Sequence, residues 1–389
     1  AARIDFSARV SPADSSLSVR IGVPSFAMSD SAGTVSTDSI YADLEATAHS
    51  TEARVVNEDM RLVFVSPSAP DVLSGRFGAA ADTLSRCLSN RRLDVAALQK
   101  ALPEFSVRLD AARRNLLARY LERYDIGYNA VEVYAANDSL LRLTSGVRRL
   151  TSGSTTVDSL DMSIRQDSSL LLFVAEMNNR PGTFDNFAHV RVRGHVGEQK
   201  ARVMLNQRNI SGKTGFNIGA SASYADSTLH VTFMPSDPTI GYKPWTINED
   251  NYLTYNFPHR HIDANLHLRN AQSVVELYTQ HDEDHDSAGH VHDEYAQEDV
   301  ILKVKNLRLS DWLSVNPFAP PVKGVASADL RVRWGAGSLN GSGTVGVDSL
   351  YYGKERVGDF LADIDLSTNA AGTIRAKAGL SVDGLHTVD

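Results

Sequence analysis

The chain has 389 residues, 42% of them apolar and 7% aromatic, with a formal net charge of -8. That balance argues against a nucleic-acid backbone as partner, and the aromatics are too few for the ring girdles of an outer-membrane barrel. Cys87 is the only cysteine, so no intrachain disulfide or cysteine-based zinc site can form, and no run approaches the ~18 apolar residues of a membrane-spanning helix.

The chain opens strand-like, without a signal peptide, at Ala1-Ala2-Arg3-Ile4. Ile4, Phe6, Ala8 and Val10 alternate with polar neighbours, as do Leu17, Val19, Ile21 and Val23, then Ile40, Ala42, Leu44, Ala46 and Ala48. Apolarity of period two predicts strands with one dry and one wet face, because successive side chains leave a strand on opposite sides.

A segment over 78–126 breaks this alternation. Ala79 to Leu88 and Asp94 to Leu102 suit helices, with Asp94 as an N-cap. Pro103 reads as the first-turn proline of a longer helix, on which Phe105, Leu109, Ala112, Leu116 and Tyr120 form one stripe, ended by Asp125-Ile126-Gly127. Arg91, Arg92, Arg113, Arg114, Arg119 and Arg123 make the segment basic. A basic amphipathic helix can lie on a membrane surface; the reading preferred here packs its stripe on the sheet it interrupts.

Strands resume at Tyr128 and run to the end, clearest in Ile262 to Leu268, Ala328 to Trp334 and Phe360 to Leu366. Arg191, Arg193, Arg331, Arg333, Asp363 and Asp365 occupy the wet positions. The organisation is therefore a strand segment over 1–77, a helical insert over 78–126 and a second strand segment over 127–389. The pattern still runs at Asp383-Gly384, so the sequence reads as a fragment of a longer protein. The expected class is mainly β: an elongated, meandering, one-sided antiparallel sheet. Its dry face must fold inward as a sandwich, a barrel or a trough.

A tripeptide punctuates the strands: Asp38-Ser39-Ile40, Asp138-Ser139-Leu140, Asp158-Ser159-Leu160 and Asp348-Ser349-Leu350, with looser forms at Asp14, Asp167 and Asp226. Asp and Ser bond back to nearby backbone and start turns, after which the aliphatic opens a strand. The tripeptide also resembles the acceptor signal for protein O-glycosylation in the Bacteroidetes envelope, which Asp30-Ser31-Ala32 and Asp82-Thr83-Leu84 match as well.

Sites of chemistry are few. His281, His285, His290 and His292 stand among carboxylates, a composition that suits zinc, nickel or copper. With almost no apolar residue to fix its geometry, the stretch reads as a solvated loop, and no metal or cofactor is expected. The glycines from Gly335 to Gly343 lead into another strand, unlike a phosphate loop, and mark bends or close backbone approach. No nucleophile elbow occurs, and no paired carboxylates sit in an aromatic pocket pattern, so an enzyme is not expected.

From about Tyr134 onward the landmarks are Pro244-Trp245-Thr246-Ile247, Ile262-Asp263-Ala264-Asn265-Leu266, Asn306 to Leu313, Asn316-Pro317, Leu339 to Val345 and Leu350-Tyr351-Tyr352-Gly353. In this order the chain resembles the TamB-like members of the AsmA-like superfamily, inner-membrane-anchored subunits of translocation and assembly modules. The helical insert departs from the family's pure strand array. The resemblance implies a half-pipe, or β-taco: a sheet curled so that its apolar face lines an open hydrophobic groove across the periplasm. It implies carriage of phospholipid acyl chains between the inner and outer membranes, a BamA-like barrel partner in the outer membrane, and a parent chain anchored in the inner membrane. It equally implies a chaperone of outer-membrane or secreted β-proteins using the same groove. Period and family together assign the lining to Ala264, Leu266, Leu268, Leu302, Val304, Leu330, Val332, Val345, Ile364 and Leu366.

Overall fold

The computed structural model describes residues 3–11, 16–30, 33–153, 155–180, 187–280, 298–313, 321–335, 338–368 and 374–383. The chain is mainly β, with four helices among the described residues, and divides into two compact units, Ala1–Gln199 and Lys200–Asp389.

The first unit holds β1 (Arg3–Ser11), β2 (Ser16–Asp30), β3 (Gly33–Thr37), β4 (Ile40–Ala46), β5 (Thr51–Asn57), β6 (Met60–Ser66), β7 (Phe105–Ala111), β8 (Ile126–Gly127), β9 (Ala130–Asn137), β10 (Leu141–Ser152), β11 (Thr155–Asp167), β12 (Leu170–Asn178) and β13 (His189–Gly197). They pair antiparallel in the order β1-β2-β4-β5-β6-β7-β9-β10-β11-β12-β13. β3 pairs with the far end of β2, and β8 with β10. Among the described pairings β1 has one neighbour, β2, so the sheet stays open.

Directly opposed residues in an antiparallel ladder share a face. Val19, Leu44, Ala53, Phe64, Val107, Ala135, Leu143, Ile164 and Phe173 oppose one another in turn from β2 to β12. The alternation in the sequence thus becomes one continuous apolar face. On the other face the charges pair across strands: Arg20 opposes Asp43 at 2.6 Å and Arg191 opposes Glu176 at 2.9 Å. Each exposed pair contributes little by itself because solvent screens it, but together they fix which face is wet.

The insert differs from the sequence expectation. Helix α1 (Pro70–Ser89) starts earlier, with its proline at the first turn, and α2 (Val95–Ala101) is capped by Asp94, whose carboxylate accepts from Ala97 N at 2.8 Å. The long helix read from Pro103 does not form. Phe105–Ala111 is β7, and only Leu116–Glu122 is helical, as α3. Phe105, Leu109, Ala112 and Leu116 satisfy a helical period, but Phe105, Val107, Leu109 and Ala111 also alternate with Ser106, Arg108 and Asp110. The strand wins because β7 fills the place between β6 and β9, which would otherwise be two unpaired edges.

Buried asparagines tie helices to strand ends. Asn57 donates to Thr37 Oγ1 at 2.7 Å and Ser39 O at 3.2 Å, while its Oδ1 accepts from Leu116 N at 2.7 Å. One side chain therefore joins two hairpins to the start of α3. Asn57→Ala leaves those groups unpaired in a dry site and is expected to cost about 2–3 kcal/mol. Hydrogen exchange that accelerates in α3 before β10 and β11 would confirm the link; uniform protection would count against it.

The second unit holds β14 (Lys200–Arg208), β15 (Thr214–Ala225), β16 (Thr228–Ile240), β17 (Lys243–Pro244), β18 (Thr246–Ile247), β19 (Tyr252–Asn256), β20 (His261–Arg269), β21 (Val274–Gln280), β22 (Glu298–Arg308), α4 (Leu309–Leu313), β23 (Val322–Gly335), β24 (Ser338–Tyr352), β25 (Glu355–Thr368) and β26 (Ile374–Asp383). The order is β14-β15-β16-β19-β20-β21-β22-β23-β24-β25-β26, with β17 folded back on β16 and β18 on β20. Among the described pairings β26 has one neighbour, and this sheet too is open.

The Asp-Ser tripeptides divide by position. Those at Asp38, Asp138 and Asp226 stand between strands, and the one at Asp167 starts on the last residue of β11 and makes the turn to β12, as expected. At Asp138 the carboxylate accepts from Ser139 N at 2.6 Å and Leu140 N at 3.3 Å, which holds its own pKa below the usual range. Asp158 lies inside β11, and Asp348 lies inside β24 where the register slips between Val347 and Leu350, so neither starts a turn. Thr83 is buried in α1 and bonded to Ala79 O. The tripeptides at Asp14 and Asp30 reach outside the described residues.

Candidate functional site

In the second unit the register brings all ten expected lining positions to one face. One row runs Leu266, Leu277, Leu302, Leu330, Gly343, Ile364 and Ala378. A second runs Leu268, Val275, Val304, Ala328, Val345, Ala362 and Leu380. Val332 and Leu366 share a third row with Val300 and Gly341. Ala264 reaches that row through Thr279, whose hydroxyl accepts from Ala264 N at 2.9 Å.

Burial divides this face. Ala264 and Leu268 are buried, whereas Leu302, Val304, Leu330, Val332, Val345, Ile364 and Leu366 are only half-buried. A closed sandwich core would bury such branched side chains fully. From β22 to β25 the face is apolar, with Ala362 buried and the larger branched side chains still partly reached by solvent.

Toward β20 the same face is covered. Phe216, Ile240, Trp245, Ile247 and Leu268 form a buried cluster against which Leu205, Phe233, Leu266, Leu307 and Trp312 pack. The chain from Lys243 to Ile247 turns back within the sheet, pairing with the ends of β16 and β20, and Ile247 stands directly opposite Leu268. Trp245 meets Trp312 edge-to-face at 5.8 Å, and Trp245 Nε1 donates to Ile240 O at 3.3 Å. Lys243 pairs with Asp311 at 2.6 Å, fastening the fold-back to α4. Leu268 is therefore core at 5% exposure, and Leu266 borders it. The sequence reading missed this plug, although Trp245 after Pro244 in a chain of three tryptophans was a signal for it.

The opposite face is charged. Asp299 holds Arg333 at 2.8 Å and Arg331 at 3.7 Å. Glu276 accepts from Arg269 and lies 3.4 Å from His267 Nδ1. Burial alone would raise the Glu276 carboxyl, but hydrogen bonds from Arg269 and His267 hold it below the usual range. A depressed folded-state pKa adds stability above the unfolded value, and that stability is lost as pH falls through the folded value. Glu276→Gln is therefore expected to flatten the fall in urea midpoint between about pH 5 and about pH 3. An unchanged slope would remove Glu276 as its source.

In the first unit helices overlie both ends of the dry face. Asn137 Nδ2 donates to Pro103 O at 2.7 Å and to Gln99 O at 3.2 Å, bringing α2 over one end. Phe77 of α1 lies 5.7 Å from Phe105 on the same face. At the other end Ala118 of α3 packs with Ala111 and Tyr128 against Met60, Leu109, Val131 and Val147. The middle of the face, including Phe64, Val107, Leu143, Ile164 and Phe173, is half-buried.

His281, His285, His290 and His292 lie outside the described residues. No cluster able to hold a metal occurs among the described residues, and no described helix is long and apolar enough to cross a membrane. No protein-family model, curated protein or solved structure matches the chain.

Proposed function

We propose that the apolar face carries phospholipid acyl chains, and that the chain is a segment of a TamB-like protein spanning the periplasm between inner and outer membranes. The observation that carries the reading is the partial burial, short of a closed core, of branched side chains in rows that continue from β22 to β25. Acyl chains laid on such rows gain roughly 0.8 kcal/mol per methylene removed from water. The role needs binding alone, with no catalytic step and no cofactor. The parent chain would be anchored in the inner membrane, and a BamA-like barrel would receive the cargo.

The test is a photo-crosslinker at Leu330, half-buried on the dry face, and another at its wet neighbour Arg331. Mass spectrometry is expected to find phospholipid adducts at Leu330 and none at Arg331. Equal yields, or none at either, would remove the lipid reading. A second reading uses the same partly buried rows from β22 to β25. Apolar side chains of an unfolded β-protein could shelter on them, which is the chaperone alternative. Peptide adducts from outer-membrane β-proteins at Leu330 would favour it.

A further inference from the structure

Helix α1 has a divided apolar surface. Leu73, Ala80, Thr83 and Cys87 are buried, and Arg76 on that side donates to Ala101 O at 3.4 Å, holding α1 on α2. Phe77, Ala81, Leu84 and Leu88 recur at spacings of four, three and four, so they form a second line along one side of the helix. This line stays exposed: 39% at Phe77, 41% at Leu84 and 70% at Leu88. Phe77, the first member of this line, meets Phe105 on the dry face, so the line begins at that face.

The ends of α1 are fixed. It leaves the sheet after β6, and the chain beyond it is anchored to the end of β13, where Leu93 N donates to Glu198 O at 2.9 Å. The helix therefore crosses the ends of the strands between β6 and β13. Immediately after Leu88 the chain reverses through Arg91, which takes a left-handed backbone at φ 51 where glycine is the usual choice. The reversal places exposed Arg91 and Arg92 at the far end of the apolar line.

We propose that α1 is the second wall of a cleft that holds an anionic phospholipid, its acyl chain along Phe77, Leu84 and Leu88 and its phosphate at Arg91 and Arg92. The proposal rests on the acyl-chain reading above. Length and charge both support this occupant. From Phe77 to Leu88 the helix rises about 16 Å, close to the ~15 Å of one leaflet's hydrocarbon. The line then ends on guanidinium groups, whose forked donors match phosphate oxygens.

The experiment places a photo-crosslinker at Leu88 in one sample of the full chain and at Leu330 in another. Each is incubated with vesicles of phosphatidylethanolamine and phosphatidylglycerol. Lipid adducts are expected at both positions, with phosphatidylglycerol enriched at Leu88. Arg91→Gln with Arg92→Gln is expected to lower the Leu88 phosphatidylglycerol yield about tenfold while leaving Leu330 unchanged. Adducts at Leu330 with none at Leu88 would overturn the α1 proposal and leave the groove reading standing. No adduct at either position would overturn both. A Leu88 yield indifferent to the glutamine pair would overturn the headgroup assignment, and crosslinking of Leu88 to a second copy would assign the line to self-association instead. At 70% exposure Leu88 accepts the probe without loss of fold.

Discussion

Ile240→Asp is expected to unfold the second unit, whereas Leu330→Asp should leave it folded and abolish lipid capture. Both residues lie on the same sheet, but their surroundings differ. Ile240 is 1% exposed, among Phe216, Trp245, Ile247 and Leu268. A carboxylate there has no cationic partner in the cluster and no route to water, at a cost of several kcal/mol. A domain's whole stability is about 5–15 kcal/mol, so the loss approaches the limit of folding. Leu330 is half-buried, with Gly343 opposite it on β24 and Leu302 opposite it on β22. An aspartate there can turn its carboxylate to solvent, and the cost falls to about 1–2 kcal/mol of lost apolar contact. Far-ultraviolet dichroism and thermal melts of the two variants, with lipid crosslinking from Val332, separate the cases. If both unfold, the face is a closed core and the groove reading fails. If Ile240→Asp stays folded, the plug is not the core it is taken for.

Much of this architecture was legible because strand registers obey a simple rule. Period two puts Leu266, Leu302, Leu330 and Ile364 on a dry face whatever the pairing, and consecutive hairpins then align them. Asp94 was legible as a cap for the same local reason: its carboxylate reaches a backbone N–H three residues on. What failed was non-local. Phe105 to Ala111 satisfies both periods, and only the neighbouring edges of β6 and β9 decide for the strand. The plug was hidden because its members come from Phe216, Ile240, Trp245, Leu268 and Trp312, which no window of sequence contains together. Alternation also cannot tell an apolar face that is open from one that is covered. Leu268 and Leu330 look alike in sequence; the fold-back at Lys243 to Ile247 makes one of them core.

Gly343→Val is expected to pull β23 and β24 apart, at a cost of about 3 kcal/mol or more. Gly343 has φ +157, and a Cβ there would stand 2.1 Å from Asp329 O and 2.8 Å from Leu330 Cα. Those are backbone atoms of the adjacent strand, so no rotamer change relieves the clash. Close backbone approach, which the glycine run suggested, is met at this point. Gly346 provides the control. Its nearest atom is the Ser327 hydroxyl at 3.1 Å, the far end of a small side chain. Gly346→Ala should therefore cost under about 1 kcal/mol, because the hydroxyl can rotate away. Urea denaturation of the two variants gives the comparison, and hydrogen exchange in β23 and β24 locates the damage. Similar losses for both would mean that the two strands do not approach as closely as the register requires. A large loss at Gly343 alone would make this glycine the residue that lets Leu330 and Ile364 share one row across β24.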